Sequence, residues 1–496
     1  MSRIQLGDMP LKKTGNGAAG EIIERAGEKY FRIANYDRMQ PFFMAVVSGY
    51  EHWMYVSSNG GLSCGRRNPS LALFPYETDD RIHDAHHTAG PMTVILVEKD
   101  AATRLWEPFS PYPRVYEIER NLYKNLAGNR LVFEEINRDL GLAFEYEWAS
   151  SARFGFVRRA AVRNFGDRVQ LSFMDGLRNL LPCGVDPNMQ ATRSTLLDAY
   201  RQAELEDKTG AGIYTLSSIP TDRAEPSEAL RATCAWNQGL QAPEVFLSVD
   251  AVQAFRNGDA PANEGRVLGR RADYFVHAQT VLEPGEKIEW RLIADVGLGP
   301  SNVVALLRDI ADGVSDEEIE RDIDAGARRL EQRAASADAF QASADIQAAT
   351  RHYANALFNI MRGGVFHEDY SVPRADFLDF VKTWNAPLAQ RAEDLLSAID
   401  QPVSREVLVE TARNSGDADL ERLALEYLPL TFSRRHGDPS RPWNAFDIDI
   451  MNPDGSEKLS YEGNWRDIFQ NWEALAYSFP GFLENFIAKF VNASPQ

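Results

Sequence analysis

The sequence predicts a β + α protein of several domains, in which a large antiparallel β-sandwich precedes two helical regions. Three observations predict this fold class. Short strand-like segments separated by Gly, Pro, Asn and Asp fill residues 1–298. Charged amphipathic helices follow over residues 299–415, as in a helical linker. Residues 416–496 contain a helix, a long loop and two further helices, so we expect a third domain to begin there.

The composition is that of a folded, acidic protein. Among its 496 residues, 53 are Lys or Arg and 72 are Asp or Glu, which gives a formal charge of −19. Hydrophobic residues make up 44 %, so the chain can bury a large core, and disorder is excluded as its main state. The net negative charge argues against nucleic acid and membranes as partners, because both require a basic surface.

Cysteine content and the N-terminus predict the compartment. Cys64, Cys183 and Cys234 lie far apart in the sequence, and such a sparse, odd set is typical of buried thiols in a reducing compartment. The N-terminus lacks the apolar region of a signal peptide. The apolar run Phe42–Val47 is much shorter than the roughly 20 residues of a membrane helix. We therefore expect a cytoplasmic protein.

The first region has the patterns of strands. Phe144–Trp148 alternates apolar and polar residues, which is the period of a half-buried strand. Two more strand-like segments, Phe156–Arg163 and Val169–Phe173, flank the turn-rich Asn164–Asp167, and this arrangement predicts a hairpin. Further strands are expected at Met92–Val97 and Lys287–Ile293, and helical interruptions near Tyr116–Asn125 and Ser194–Glu206.

The helical regions show start and stop signals. Ser315 and Glu318 have the spacing of a capping box, in which each side chain bonds the backbone N–H of the other residue. Gly363 and Gly364 are placed to end a helix, because glycine adopts the left-handed conformation of a helix terminus. The predicted helices after the capping box are Ala344–Met361, Ala386–Ile399, Asp419–Tyr427, Trp465–Tyr477 and Phe482–Val491.

A long loop between Ser433 and Arg466 concentrates aromatic, acidic and amide residues. Loops longer than about 15 residues are usually functional or disordered, and Trp443, Phe446 and Tyr461 offer apolar anchors against disorder. An aromatic ring can cover the apolar face of a sugar, and carboxylates can accept its hydroxyl groups in pairs. The composition therefore indicates a saccharide site, and the alternative interpretation is a packed loop with surface ion pairs.

The segment that begins at Glu462 and ends at Gln470 reads EGNWRDIFQ. It resembles the Gly-x-x-Phe-Arg-Asp-x-x-Gln-Asp motif of the cellobiose phosphorylase type of glycoside phosphorylases. The helix that follows, the proline-started helix after Ser478 and the exit near Ala493 are similar in order to that family. The family layout is an N-terminal β-sandwich, a helical linker and a barrel of paired helices. The resemblance thus implies that residues 416–496 are the first helices of an incomplete (α/α) barrel.

The resemblance also implies substrate-binding residues. Arg466 and Asp467 correspond to the pair that holds hydroxyl groups of the donor-subsite sugar. An ionised carboxylate accepts up to about four hydrogen bonds, which suits Asp467, and an arginine can orient it or donate to the sugar. Gln470 matches the motif and lies three residues on, roughly on the same helix face as Asp467. Trp465, in place of the usual Phe, and Glu462 complete the set.

Two departures from the family leave the catalytic residues unassigned. Asn471 stands where the motif ends in Asp. The general acid of the family lies in a later Trp-Asn-Asp segment, which has no counterpart here, although inverting phosphorolysis requires an acid to protonate the leaving oxygen. The resemblance therefore implies reversible phosphorolysis of a β-glucoside in a complete enzyme. Inorganic phosphate would be the co-substrate, with no metal or organic cofactor. A partner chain that completes the barrel, or a homo-oligomer, is expected.

Two other function classes stay open. The first is a non-catalytic module that binds glycans or another subunit, which the missing general acid favours. The second is a glycoside hydrolase that uses Asp447, Asp449 or Glu462. That reaction requires two carboxylates about 5 to 10 Å apart around a cleft.

Three further segments carry a chemical and a structural interpretation each. The histidines at 83, 86 and 87, close to Asp79 and Asp80, are spaced for a metal site or for a polar turn. Gly60-Gly61 fits a hairpin turn and lacks the pattern of a dinucleotide loop. His367 and Glu368 form either an acid–base pair or part of a linker loop held by ion pairs.

Overall fold

The computed structural model describes residues 4–12, 17–112, 114–221, 224–399, 402–433, 446–461 and 465–493, the side chains of residues 465–467 excepted. These residues form two compact units. The first unit contains the described residues up to Ala327, and the second contains those from Arg328 onward. The predicted domain boundaries near residues 298 and 415 stay predictions.

The first unit is built on a large antiparallel sheet of eleven strands among the described residues. Its central strands Leu142–Ser151 and Gly155–Asn164 pair over their whole length and are buried on both faces. In order across the sheet, the strands are Arg266–Leu268, Arg201–Leu205, Gly212–Leu216, Ala232–Gln238, Lys287–Leu298, Gly155–Asn164, Leu142–Ser151, Leu131–Asn137, Ile118–Asn125, Glu28–Ala34 and Ala19–Arg25.

A smaller antiparallel sheet faces the large one. Phe173 of the small sheet stacks on Trp290 of the large sheet with ring centroids 4.4 Å apart, and both side chains are buried. The two sheets therefore enclose a common core and form the predicted β-sandwich. Across the described part of the small sheet the strands are Glu244–Phe246, Ala272–Leu282, Val169–Leu180, Gly90–Lys99 and Ala102–Trp106.

Shorter elements complete the first unit. Three strands form a separate antiparallel sheet, and two others pair near the N-terminus. The short strands are Gln5–Leu6, Met9–Pro10, Phe43–Ala45, His52–Ser57 and Leu62–Arg66, and the short helices are Tyr36–Arg38, Pro69–Leu71, Ala85–His87, Pro187–Thr192, Ser194–Asp198 and Val249–Arg256.

The predicted hairpin around Asn164–Asp167 is wrong. The strand Gly155–Asn164 belongs to the large sheet, whereas Val169–Leu180 belongs to the small sheet and pairs with other strands. The turn therefore crosses between the two layers. Asn164 holds this corner, because its side-chain amide donates to the carbonyl oxygens of Asp167 at 2.7 Å and Leu282 at 3.0 Å. The turn residues were identified correctly, but distant strands decide the pairing.

The helix predicted near Tyr116–Asn125 is also wrong, because Ile118–Asn125 is a strand of the large sheet. The strand was missed because several of its polar residues are buried, where they bond polar residues of the neighbouring strand, so the sequence does not alternate between polar and apolar residues. Arg120 donates to Glu135 at 2.7 Å, and Asn121 donates to Glu134 at 2.9 Å, across to the neighbouring strand. The helix predicted at 194–206 is shorter than expected, as it ends at Asp198 and a strand, Arg201–Leu205, follows.

The capping box is confirmed. The Ser315 N–H donates to Glu318 Oε2 at 3.1 Å, and the Glu318 N–H donates to Ser315 Oγ at 3.2 Å. The helix that it opens is Asp316–Ser336, preceded by Pro300–Asp312. Ile319 and Ile323 of the capped helix pack with Trp236 and neighbouring residues of the large sheet.

The second unit is helical. Ile346–Gly363 ends as predicted, with Gly364 at φ 82°. The predicted helices at the end of the chain are confirmed as Trp465–Ser478 and Leu483–Ala493, joined by the short turn Pro480–Phe482. The barrel that the resemblance implies stays a prediction.

Between these helices lies a compact inserted module, residues 366–429. Its entry and exit strands, Val365–Phe366 and Leu430–Thr431, pair with each other, so the module leaves and rejoins the unit at one point. Its described helices are Arg374–Trp384, Ala386–Leu388, Ala389–Ser397, Arg405–Asn414 and Ala418–Glu426. They enclose a hydrophobic core of their own that includes Phe377, Leu408 and Leu423. The module therefore has the anatomy of an inserted domain.

Candidate functional site

The predicted saccharide site lies at the start of the helix Trp465–Ser478. Arg466 and Asp467 fall in its first turn, where only the backbone is described, as is also true of Trp465. Glu462 lies outside the described residues. Gln470 is exposed on the next turn. The roles of these five residues stay predictions.

The opposite face of this helix is fixed against Ile346–Gly363. The Trp472 indole N–H donates to the Gly363 carbonyl at 3.0 Å, and the Asn471 amide donates to Asn359 Oδ1 at 3.1 Å. Asn471 is the residue that replaces the final Asp of the motif. Its buried amide joins the two helices, so this departure has a packing role.

The described part of the preceding loop is packed in place. Phe446, Ile448 and Ile450 are buried in alternation. Asp449, which lies between them, forms an ion pair with Lys458. For residues 446–461 the interpretation as a packed loop with ion pairs is therefore confirmed.

A histidine–carboxylate cluster lies at the base of the inserted module. His367 Nδ1 and Glu457 Oε2 are 3.1 Å apart. The other oxygen of Glu457 accepts from Arg329 at 2.9 Å and from Arg333 at 2.7 Å. The predicted partner of the histidine, Glu368, is more distant, at 3.9 Å from Nε2. His367 is thus oriented chiefly by Glu457, and no local sequence pattern predicts this pair.

The pKa values of two carboxyl groups near His367 shift in opposite directions. Burial acts to raise the pKa of Glu457, but the charge and hydrogen bond of Arg333, with His367, outweigh burial and hold this pKa below its usual range. Burial raises the pKa of Asp376, and the hydrogen bond from the Tyr427 hydroxyl, at 2.6 Å, opposes that shift only in part. Two carboxyl groups with separated pKa values are the arrangement that acid–base chemistry uses.

Sequence reasoning found His367 and missed Glu457 and Arg333. Glu457 lies 90 positions after His367, and Arg333 lies 124 positions before Glu457, so no local pattern connects them. The one sequence feature that indicates a role for Glu457 is its position in the long loop between Ser433 and Arg466, which is rich in aromatic, acidic and amide residues. Long-range folding brings the three together.

The metal interpretation of the histidines at 83, 86 and 87 gains no support. Within the described ranges, no group of three or more His, Cys, Asp or Glu side chains is placed to hold a metal ion. His83 Nδ1 instead bonds Ser57 Oγ at 2.7 Å, and His86 Nδ1 bonds the His83 carbonyl at 2.8 Å.

None of the described helices combines the length and the apolar composition that a membrane span requires.

The sequence of the inserted module matches a known protein family. Residues 366–429 match insertion domain 1 of glycoside hydrolase family 149. The match begins at Phe366, in the entry strand, and ends just before Leu430, in the exit strand. It therefore coincides with the structural module, and the likeness to this family covers residues 366–429 alone.

Solved structures of low identity resemble the chain in outline. A bacterial glucoamylase complexed with acarbose is 9 % identical, with a TM-score of 0.38, over 99 % of this chain and 62 % of its own. A protein assigned as a kojibiose phosphorylase from the human microbiome is 10 % identical, with a TM-score of 0.37, over 91 % and 56 %. A GalM/aldose epimerase homologue from C. elegans is 11 % identical, with a TM-score of 0.31, over 52 % and 98 %.

The chain thus spans about 62 % of the glucoamylase and 56 % of the phosphorylase-like protein. No curated protein sequence matches it. At these TM-scores the solved structures assign no activity to this chain.

Proposed function

We propose that this chain is a carbohydrate-active protein of the glycoside phosphorylase type. The observation that carries the proposal is the match of residues 366–429 to an insertion domain of a glycoside hydrolase family, with limits that coincide with the closed module. Two further features support it. The segment from Glu462 to Gln470 carries the phosphorylase-like motif, and acid–base residues surround His367 at the module base.

The proposed reaction is reversible phosphorolysis of a β-glucoside. The glycosidic C–O bond breaks, an oxygen of inorganic phosphate bonds the anomeric carbon, and the leaving oxygen takes a proton from a general acid. Arg466 and Asp467 would hold the donor sugar, supported by Glu462, Trp465 and Gln470. The motif contains no general acid, and this scheme leaves that residue unassigned. No metal or organic cofactor takes part in this scheme.

The test is phosphate release from glucose 1-phosphate with a panel of acceptor sugars, together with saccharide binding measured by calorimetry. Asp467→Ala is compared with Glu473→Ala, an exposed position on the same helix. We expect saccharide binding that is lost in Asp467→Ala and kept in Glu473→Ala. Turnover that Asp467→Ala abolishes would show that the chain holds a complete catalytic set. A folded chain that binds no saccharide would contradict the proposal.

A subunit-interaction role is the second candidate, favoured by an apolar face on the last two helices. Tyr477 is 82 % exposed and Val491 is 61 % exposed, and Leu483, Ile487 and Phe490 lie beside them. Such a surface is typical of an interface with another protein chain. Sedimentation analysis of the wild type and of Ile487→Glu tests this role. Association that the charge abolishes supports it, and a monomer at high concentration contradicts it.

The hydrolase alternative gains less support. Of the three carboxylates proposed for it, Asp449 is held in an ion pair with Lys458, and Glu462 lies outside the described residues. A retaining or inverting hydrolase requires two carboxylates that face one cleft. Release of free glucose without phosphate, in the same assay, is the outcome that would favour a hydrolase.

A further inference from the structure

A cavity of about 430 Å³ lies in the first unit, where strands of both sheets meet several turns. This sandwich cavity is lined on the strands by Tyr146, Arg158 and Arg178, and on the turns by Asn59, His86 and Phe109. Its volume falls in the range of small-molecule sites. All of its lining residues belong to the first unit.

The Tyr146 hydroxyl lies at the sandwich cavity without a hydrogen bond to the described protein. Tyr146 is only 4 % exposed, and no described residue hydrogen-bonds its hydroxyl. The ring is fixed, because it stacks on Phe133 with centroids 5.1 Å apart and the Arg158 guanidinium lies over it at 4.6 Å. The fixed ring and the absence of a hydrogen bond from a described residue leave the Tyr146 hydroxyl available to a ligand.

The charge of Arg158 is already compensated inside the protein. Its guanidinium bonds Asp175 at 2.6 Å, and both side chains are fully buried. Asp175 also accepts from Thr93 at 2.6 Å and from the Trp290 indole at 2.7 Å. This network forms a rigid floor and leaves no net charge at the bottom of the sandwich cavity.

Arg178 differs, because no described carboxylate forms an ion pair with it. Its guanidinium donates to the backbone carbonyls of His86 at 2.5 Å and His87 at 3.2 Å, and its Nε is buried without a hydrogen-bond partner. Burial lowers the pKa of Arg178, and the charge of Asp273, which forms no ion pair with it, opposes this shift only in part. A half-buried guanidinium that no carboxylate contacts directly can bind a phosphate or a carboxylate.

A β-bulge gives Arg178 its position. In the small sheet, Leu177 pairs with Tyr274 and Leu180 pairs with Ala272, so two residues oppose the single Asp273. Asn179 in this bulge has φ 55°. Phe109, which also lines the sandwich cavity, has φ 62°. Bulges and strained backbone of this kind cluster at sites that aim a side chain at a ligand.

His86 supplies a hydrogen-bond acceptor at the sandwich cavity. The His83 carbonyl accepts from Asn59 Nδ2 at 2.7 Å and from His86 Nδ1 at 2.8 Å. Because Nδ1 of His86 donates, Nε2 carries the lone pair in the neutral ring. Burial lowers the pKa of His86, so the neutral ring prevails at neutral pH. An acceptor and the Tyr146 hydroxyl together suit the hydroxyl groups of a sugar.

We propose that the sandwich cavity binds an anionic monosaccharide, a sugar phosphate or a sugar acid. Arg178 bonds the anionic group, Tyr146 and His86 bond hydroxyl groups, and the Phe109 ring offers a face to the sugar ring. This inference goes beyond the proposed function, because it assigns a second ligand to the β-sandwich and requires no residue of the phosphorylase-like motif.

The test is calorimetric titration of the full chain with glucose 6-phosphate, glucuronate, glucose and inorganic phosphate. We expect one of the two anionic sugars to bind at least about tenfold more tightly than glucose or phosphate alone. Tighter binding of glucose 6-phosphate than of glucuronate would identify the bound anion as a phosphate, and the reverse order would identify it as a carboxylate. Equal binding of glucose would overturn the anion assignment. Equal binding of phosphate would overturn the sugar assignment, and no binding would overturn both.

Two variants locate the site. Tyr146→Phe removes only the hydroxyl, and Arg178→Gln removes the guanidinium charge. Each should weaken binding about tenfold, whereas Arg168→Gln, an exposed arginine, should not change it. Thermal unfolding shows whether each variant is folded. Unchanged affinity in a folded Tyr146→Phe and Arg178→Gln would overturn the proposal. Asp467→Ala should retain this binding, so failure of the proposed function and failure of this site are distinguishable.

Discussion

Phe366 pairs with Leu430 in the short antiparallel ladder that closes the inserted module. The next residue, His367, continues this contact through a hydrogen bond from its N–H to the Pro429 carbonyl at 3.0 Å. The chain can therefore enter and leave a domain of its own core without disturbing the helices around it. The coincidence of this closure with the limits of the family match indicates that residues 366–429 are one structural and evolutionary module.

Phe366 should be a major source of stability for the second unit. It is buried, and its ring stacks on Phe482 with centroids 3.7 Å apart, which joins the entry strand to the last helices. We expect Phe366→Ala to lower the free energy of unfolding by about 3–4 kcal/mol, because it leaves a cavity in an aromatic cluster. Urea unfolding followed by circular dichroism measures this. Tyr477→Ala, at an exposed aromatic residue, should change it by less than about 0.5 kcal/mol. Similar losses in the two variants would contradict the packing role of Phe366.

Glu457 should stabilise the module base through its charge. Glu457→Gln removes the negative charge that Arg329 and Arg333 contact, and we expect a loss of about 1–2 kcal/mol near neutral pH. The folded-state pKa of Glu457 lies below its ordinary value of 4.5, so this stabilisation is present above that pH and disappears as the pH falls through the folded-state pKa.

Urea unfolding of Glu457→Gln and of the wild type at neutral pH and near pH 3 measures this dependence. The difference between them should be largest at neutral pH and small in acid. Glu368→Gln is the matched control, since that side chain is exposed and lies 3.9 Å from the same histidine. We expect no effect above about 0.5 kcal/mol. A larger effect of the control would mean that Glu368 is the main partner of His367.

Elements with local signals could be predicted from the sequence. The capping box at Ser315 and the glycine-terminated helix before Gly364 both formed where the side chains indicated, because a helix start or end is decided within a few residues. The strand at Ile118–Asn125 could not be predicted. Its buried Arg120 and Asn121 are satisfied by glutamates of a neighbouring strand, and such pairs conceal the alternation that identifies a strand.

The candidate sites show the same limit. The sequence singled out the long loop and His367, but the bond between His367 and Glu457 depends on how the chain returns to the module base. The sandwich cavity has no local signal, because Tyr146 and Arg178 come from strands of different sheets. The composition of a segment can suggest a ligand, whereas the site itself is assembled by contacts between distant residues.

Asp273 should make the stability of the first unit depend on pH. Burial raises its pKa to about 6, although the Asn179 N–H donates to it at 2.7 Å. A carboxyl group with a raised folded-state pKa favours folding at low pH, and this contribution is lost as the pH rises through about 6. We expect Asp273→Asn to be more stable than the wild type by up to about 3 kcal/mol near pH 8 and no more stable near pH 4. Urea unfolding at the two pH values measures this, with Asp259→Asn, at an exposed position, as the control. Equal effects at both pH values would mean that the charge of Asp273 is compensated.

Replacement of Gly61 should destabilise the turn that contains Asn59, a residue that lines the sandwich cavity. A Cβ atom at this position would lie 2.0 Å from the Ile82 carbonyl oxygen, and a backbone atom cannot move aside as a side chain can. Gly61→Ala must therefore separate the two turns and break the bond between Asn59 and the His83 carbonyl. We expect a loss of about 2–3 kcal/mol in urea unfolding.

Gly265→Ala is the matched control for this loss, because a Cβ atom there meets no atom within 4 Å and its φ is not positive. This control should be neutral or slightly stabilising, since alanine restricts the unfolded chain more than glycine does. If the sandwich cavity binds an anionic sugar through His86, Gly61→Ala should also weaken that binding, while Gly265→Ala should leave it unchanged. A folded Gly61→Ala variant of unchanged stability would show that the two turns are not held together as the contact at Ile82 requires.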